Sequence, residues 1–168
     1  MSLLISLAGL PGTGKSTLAR ALAARIGAMW LRIDSIEQAI RASGVVPGSL
    51  DDAGYRAACA VAEDNLRLGR TVIADCVNPW PQSRDVWRDA GLRAGARVVE
   101  IEVICSDAAE HRRRVESRSA EVPGLVPPDW AAVTARDYRP WNRPRAVVDT
   151  AGRTVPACVA EIAAHLNP

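Results

Sequence analysis

The chain of 168 residues lacks the features that would place it in a membrane, outside the cell or around a zinc ion. No apolar stretch approaches the roughly 20 residues needed to cross a bilayer. The apolar run at the N-terminus is short and leads straight into a glycine-rich loop, so it does not read as a leader peptide. The four cysteines, Cys59, Cys76, Cys105 and Cys158, are scattered, with no C-x-x-C pair. They read as small buried residues of a reducing cytoplasm. With two histidines and no paired cysteines, a zinc site has no ligand spacing to draw on. There is no internal repeat and no low-complexity tract. Nor is there a basic patch with interleaved aromatics of the kind that grips single-stranded nucleic acid, or an N-K-x-D motif that would select guanine. A formal net charge of +2 makes no case for nucleic acid. The expectation that remains is a cytoplasmic globular protein without a membrane partner. Its apolar content of 48% is enough for one domain with a real core.

What is present is concentrated in Gly9-Leu10-Pro11-Gly12-Thr13-Gly14-Lys15-Ser16, which fits G-x-x-x-x-G-K-[ST], the phosphate-binding loop called Walker A. Before it, Leu3 to Ala8 reads as a fully buried strand. After it, Thr17 to Arg25 is rich in strong helix formers. Strand, glycine loop and helix form the context the motif requires. Such a loop turns successive N–H groups toward an anion, and the helix N-terminus adds its positive end. Gly12, Thr13, Gly14, Lys15, Ser16 and Thr17 are the expected nucleotide-binding residues. Lys15 would reach the β- and γ-phosphates, and the Ser16 hydroxyl would ligate Mg²⁺.

The remainder alternates. A second strand is expected over Ala28 to Ile33, a third over Thr71 to Ala74, a fourth over Ala96 to Ile104 and a fifth over Arg145 to Asp149. Helices are expected over Ser35 to Arg41, Asp52 to Leu68, Pro81 to Ala94, Asp107 to Arg118, Asp129 to Tyr138 and Val155 to Leu166. Loops run from Ser43 to Asp52, with Gly44, Pro47, Gly48 and Ser49, and from Ser119 to Pro128. Strands alternating with helices imply an α/β fold, a parallel sheet covered on both faces. Ligands of such sheets sit beyond the carboxyl ends of the strands, where Asp34 and Asp75 fall.

Phosphoryl transfer needs oxygen ligands for magnesium and a carboxylate that can take the acceptor's proton. Asp34 is assigned to the acceptor as general base. Asp75, ending the apolar strand Val72-Ile73-Ala74, is assigned to the metal shell with Ser16. The reverse assignment stays open, and the competing reading of each is a helix cap. Asp149 reads as a turn residue near the adenine. On the arginine-rich helix, Arg114 and Arg118 are four apart and share a helix face, where they could neutralise a developing phosphoryl charge. The breaker-rich loop that follows reads as a lid. Arg136, Arg139 and Arg143 could add charge from its far side. Trp80, Trp130 and Trp141 point weakly to a substrate pocket near these loops.

These residues together resemble the small P-loop kinases, the group of the polynucleotide kinase kinase domain, chloramphenicol phosphotransferase, gluconate kinase and the zeta toxins. The resemblance rests on Gly9 to Thr17, Arg32-Ile33-Asp34, Val72 to Asp75, and Arg114 with Arg118, and it covers nearly the whole chain. It implies a three-layer α/β/α P-loop NTPase fold, with a five-stranded parallel sheet of order 2-3-1-4-5 and a short lid over about residues 114–140 of one domain spanning 1–168. It also implies ATP with Mg²⁺, an acceptor hydroxyl met by Asp34, and lid arginines at Arg114 and Arg118. Members like polynucleotide kinase carry an arginine three residues after the aspartate, where this chain has Glu37. A carboxylate there would repel an acceptor phosphate, unless Arg41 or Arg32 compensates. The leading expectation is therefore an ATP-dependent kinase acting on a hydroxyl of a small-molecule acceptor. A polynucleotide 5′-hydroxyl kinase ranks second, and a nucleotide-dependent switch or ATPase binding module third. Neither the acceptor nor the oligomeric state can be read from the residues.

Overall fold

A computed structural model describes residues 2–45 and 48–166; Pro47 of the loop expected after Ser43 lies outside the described residues. The chain runs β1 (Leu3–Ala8), α1 (Lys15–Ile26), β2 (Met29–Arg32), α2 (Ile33–Ala42), α3 (Ala53–Arg67), β3 (Thr71–Asp75), α4 (Pro81–Arg93), β4 (Arg97–Ile104), α5 (Ala108–Ser117), α6 (Trp130–Thr134), β5 (Ala146–Asp149) and α7 (Val155–Leu166). The five strands form one sheet of order β2-β3-β1-β4-β5, and every pairing is parallel. This is the three-layer P-loop NTPase architecture.

The layering follows from strand geometry, because successive side chains leave a strand on opposite faces. Leu4, Val72, Ala74 and Leu31 point to one face and pack against Ala58, Cys59, Ala62 and Leu66 of α3 and Trp87 of α4. Ile5, Leu7, Ile73, Ile101, Val103 and Val148 point to the other, against Leu18 and Leu22 of α1 and Val159 and Ile162 of α7. A strand covered on both faces has no polar side to show, which is why these segments read as aliphatic runs. Burying a side chain the size of Leu or Ile contributes about 1.5–3 kcal/mol, so two such clusters fix the sheet firmly.

Register then sets the site. Asp75 lies beside Leu7 on one side and Arg32 on the other, so the ends of β1, β2 and β3 meet at one edge. Two expected elements differ. The second strand stops at Arg32, and Asp34 falls in the first turn of α2. The helix expected over Asp129 to Tyr138 lasts only from Trp130 to Thr134. Beyond it the chain is drawn to α4: buried Arg84 donates to the carbonyls of Arg139 (2.7 Å) and Pro140 (3.2 Å) and lies 4.3 Å from the Trp141 ring centroid. Among the described residues, no helix is long and apolar enough to cross a membrane.

Candidate active site

The loop between β1 and α1 ends at Gly14, whose φ of 97° lies in the left-handed region and caps α1. Gly12 is required for a second reason: a Cβ there would collide with a Val115 methyl and the His111 ring. Lys15 opens α1 and is buried, its Nζ donating to Leu10 O at 2.9 Å. Burial holds the Lys15 ammonium below its usual pKa, and the charges of Asp75 and Asp34 oppose that shift. Both carboxylates therefore stand within electrostatic reach of the loop lysine.

Asp75 is 3% exposed. Burial pushes its pKa up, while Lys15, a hydrogen bond from the Ser16 hydroxyl and one from Trp30 pull it down. Trp30 Nε1 donates to Asp75 Oδ2 at 3.2 Å. Asp75 ends a strand and caps no helix. Ser16 and Asp75 thus bring a hydroxyl and a carboxylate together beside the phosphate loop. That donor set fits Mg²⁺, a hard cation that takes one or two protein oxygens and completes its shell with phosphate and water.

Asp34 is exposed, in the first turn of α2. The residue flanking that helix is Arg32, and α2 has no side-chain cap, so Asp34 does not serve as one. Its neighbour in charge is Arg118. Burial lowers the Arg118 pKa, and Asp34 is the group that raises it. Arg118 Nε is buried without a hydrogen-bond partner.

Arg114 and Arg118 do not share a helix face. Helix α5 ends at Ser117, and Arg118 is its C-cap in an extended conformation, φ −74° and ψ 140°. The charge of Asp34 acts on Arg118 and that of Arg118 on Lys15, whereas Arg114 is engaged elsewhere. Arg114 donates to Glu110 Oε1 (2.5 Å), Thr150 Oγ1 (2.8 Å) and Thr150 O (3.0 Å), beside the loop but already paired. Two of the arginines expected beyond the loop between α5 and α6, Arg139 and Arg143, are spoken for as well. Arg143 binds Glu100 and Asp85, and Arg139 binds Asp137. Trp80 donates to Asp137 and Trp141 stacks on Arg84, and neither lines the pocket beside Trp30 and Arg32. Asp149 accepts from Ser106 N and Ala151 N as a turn residue.

On the acceptor side, Glu37 lies against α3, where a Cβ on Gly54 would collide with its side chain. Arg41 is its ion-pair partner at 3.5 Å. Burial raises the Glu37 pKa, Arg41 lowers it, and the charge of Asp34 adds to the rise. An open pocket of about 480 Å³ adjoins the site. Trp30 and Arg32 of β2, Ser35 and Gln38 of α2, and Glu121 and Val122 of the loop between α5 and α6 line it. Arg32 Nη1 donates to Glu121 Oε2 at 2.9 Å, holding that loop against β2.

Three contributors carry no mark in the sequence: Trp30, His111 and Thr150. His111 Nε2 lies 2.8 Å from Pro11 O, and the Thr150 hydroxyl lies 2.9 Å from Thr13 O. His111 and Thr150 act on backbone carbonyls and Trp30 on the Asp75 carboxylate, all far away in the chain, and residue type alone does not announce that.

Comparison with known proteins agrees with this fold. The AAA_33 family model, described as an AAA domain, matches residues 4–140. An uncharacterized protein of Mycobacterium tuberculosis is 33% identical over 159 residues, covering 86% of this chain and 31% of that protein. The chain thus spans about a third of the length of the curated relatives it matches. A Chloroflexus aurantiacus protein superposes with a TM-score of 0.73 at 21% identity, with 99% of each chain covered. The Mycobacterium tuberculosis APS kinase CysC, in complex with AMPPNP and APS, superposes at 0.72 and 18% identity over 98% of this chain and 97% of that one. A gluconokinase from Sinorhizobium meliloti does so at 0.62 and 20% over 96% and 90%. At these identities the likeness is one of fold.

Proposed function

The chain belongs to the AAA_33 family of AAA domains, and from that premise we propose that it is an ATP-dependent kinase that transfers the γ-phosphoryl group to a hydroxyl of a small-molecule acceptor. The observation that carries this reading is that Asp34 and Arg118 both stand within electrostatic reach of Lys15 and neither forms an ion pair among the described residues. The Asp34 side chain has no hydrogen bond or ion pair among the described residues and Arg118 Nε has no partner, yet the charge of Asp34 acts on Arg118 and both act on Lys15. A free carboxylate and a free guanidinium next to a phosphate loop are what a transfer site needs at rest.

In this mechanism Lys15 and the N–H groups of Gly12 to Thr17 hold the phosphates. Ser16 and Asp75 would hold Mg²⁺, which when bound neutralises phosphate charge. The acceptor oxygen attacks the γ-phosphorus in line, and the bond from that phosphorus to the β–γ bridging oxygen breaks. The acceptor proton passes to Asp34. Arg118 meets the charge on the transferring group. That APS kinase of the same fold was solved with AMPPNP and APS supports both ATP as donor and a small molecule as acceptor. A polynucleotide acceptor ranks lower, because Arg32 is already bound to Glu121 and Glu37 adds negative charge to the acceptor wall. The domain reading, one kinase domain with a lid over about residues 114–140, belongs to the same proposal, as does a cytoplasmic location.

The test is a screen of hydroxylated metabolites and oligonucleotides for acceptor-stimulated ADP release. With the acceptor found, Asp34→Ala is expected to lower kcat by about 10²–10⁴-fold, the usual contribution of a general base, and to leave ATP affinity unchanged. Unaltered turnover in that variant removes Asp34 from the role of base.

A further inference from the structure

The phosphate loop is held from outside by two side chains that touch its carbonyls. His111, 7% exposed, places Nε2 2.8 Å from Pro11 O. A carbonyl oxygen only accepts, so Nε2 carries the proton. Thr150, 4% exposed, has its hydroxyl 2.9 Å from Thr13 O and 3.0 Å from Ile104 O. Arg114 Nη1 donates to that same hydroxyl oxygen at 2.8 Å, which leaves the hydroxyl proton free for a carbonyl. Arg114 is itself fixed by Glu110, whose second oxygen accepts from Gly152 N at 2.9 Å. His111 is fixed by Trp130, edge-on at 5.1 Å between ring centroids.

A trans peptide is planar and places its C=O and the following N–H on opposite sides. The chain has no cis peptide among its described residues. A carbonyl held outward therefore turns the next N–H the other way. Pro11 O, bound by His111, directs the Gly12 N–H away from α5. Thr13 O, bound by Thr150, directs the Gly14 N–H away from the end of β5. Glycine peptides are the most free to rotate, so these are the two planes that most need an external hold.

We propose that His111 and Thr150 are positioning residues that orient the Pro11–Gly12 and Thr13–Gly14 peptide planes, aiming the Gly12 and Gly14 N–H groups at a bound polyphosphate. The proposal rests on the nucleotide-binding reading of the loop. It makes α5 and the β5 end a frame for the loop, with Trp130 tying that frame to the lid's far arm. Neither residue touches the reacting atoms.

The experiment measures binding of the fluorescent analogue MANT-ATP, and its displacement by inorganic tripolyphosphate, to the full chain and four variants. His111→Leu and Thr150→Val remove the donors; His111→Gln and Thr150→Ser keep one. Each donor-deleting change is expected to weaken MANT-ATP about tenfold, the scale of one hydrogen bond, with tripolyphosphate weakened by the same factor. The donor-keeping changes are expected to stay within about threefold of the wild type. Melting temperatures of the free proteins separate loss of fold from loss of orientation. If His111→Leu melts early, the Thr150 pair and His111→Gln still decide the matter. The proposal fails if His111→Leu and Thr150→Val bind like the wild type. It fails equally if the donor-keeping variants bind as weakly as the donor-deleting ones, or if tripolyphosphate affinity does not move. Absence of binding by the wild type would overturn the nucleotide-binding reading itself, and is told apart because no variant is needed to see it.

Discussion

The two walls of the cleft are built by different means. The donor wall is tied through buried bonds: Lys15 to Leu10 O, His111 to Pro11 O, Thr150 to Thr13 O, with Arg114 and Glu110 behind them. The acceptor wall is made of α2, in which only Ile33 is buried, and the lid loop. It is joined by ion pairs of partly exposed side chains, such as Arg32–Glu121, Arg20–Glu121 at 4.0 Å and Glu37–Arg41 at 3.5 Å. Exposed pairs each contribute about 0–1 kcal/mol, whereas an unmet buried carbonyl costs about 1–3 kcal/mol. The contrast suits the division of labour. The phosphate donor is the same in every turnover, so a rigid nest can be matched to one bound form of it, while a wall held by weak pairs can yield to its acceptor.

The sharpest way to break this contrast lies in the two arginines. Arg118→Ala is expected to lower kcat by about 10²–10³-fold, as loss of one charged donor to a developing anion does, with the KM for ATP little changed. Arg114→Ala is expected to act through Thr150 on the loop and appear chiefly as a raised KM for ATP. Steady-state kinetics with the acceptor from the screen measures both. If Arg114→Ala depresses kcat as deeply as Arg118→Ala, Arg114 reaches the transferring group and the division of their roles collapses.

A smaller effect is expected from Glu121→Gln. Arg32 and Arg20 then lose their shared partner. The lid loop keeps buried Val122, so stability should fall by less than about 1 kcal/mol. The acceptor KM should shift severalfold and the ATP KM should not. A shift confined to the ATP KM would show that the lid loop belongs to the donor wall instead.

Much of the donor wall was legible in the sequence, and the reason is physical. Doubly covered strands leave aliphatic runs, glycines mark backbone that must bend, and Lys15 is the chain's only lysine among many arginines. A compact ammonium is retained where a guanidinium fork would not serve. The place of Asp75 was readable because strand ends in a parallel sheet face one crevice, and Asp34 follows another such end by two residues, in the first turn of α2. Other features escaped for an equally definite reason. The pairing of Arg114 and Arg118 assumed a helix that continues, and the chain leaves the helix after Ser117. Arg143 looked available because Glu100 and Asp85, its partners, are distant in sequence. His111 and Thr150 bind carbonyls, which every residue has, so no pattern of side chains betrays them.

The smallest effect concerns Glu37, and its sign decides whether the acceptor wall holds an unfavourable charge at rest. Burial raises the Glu37 pKa above the usual 4.5 and outweighs the opposing pull of Arg41. The folded protein then holds this proton more tightly than the unfolded chain. The resulting contribution to stability is full below the unfolded pKa and is lost as pH rises through the folded one. Glu37→Gln removes the titration. Because the Glu37 side chain keeps part of its surface in solvent and pairs with exposed Arg41, the gain is discounted to below about 1 kcal/mol, or about 2–4 °C in melting temperature at most. The variant should melt above the wild type at neutral pH, and the difference should vanish in acid, where both side chains are neutral. Other carboxylates titrate over the same range, so the quantity to follow is the difference between the two proteins across pH. A variant less stable than the wild type at neutral pH would mean that the Arg41 ion pair dominates. The acceptor wall would then be held by its charges, as the donor wall is by its buried bonds.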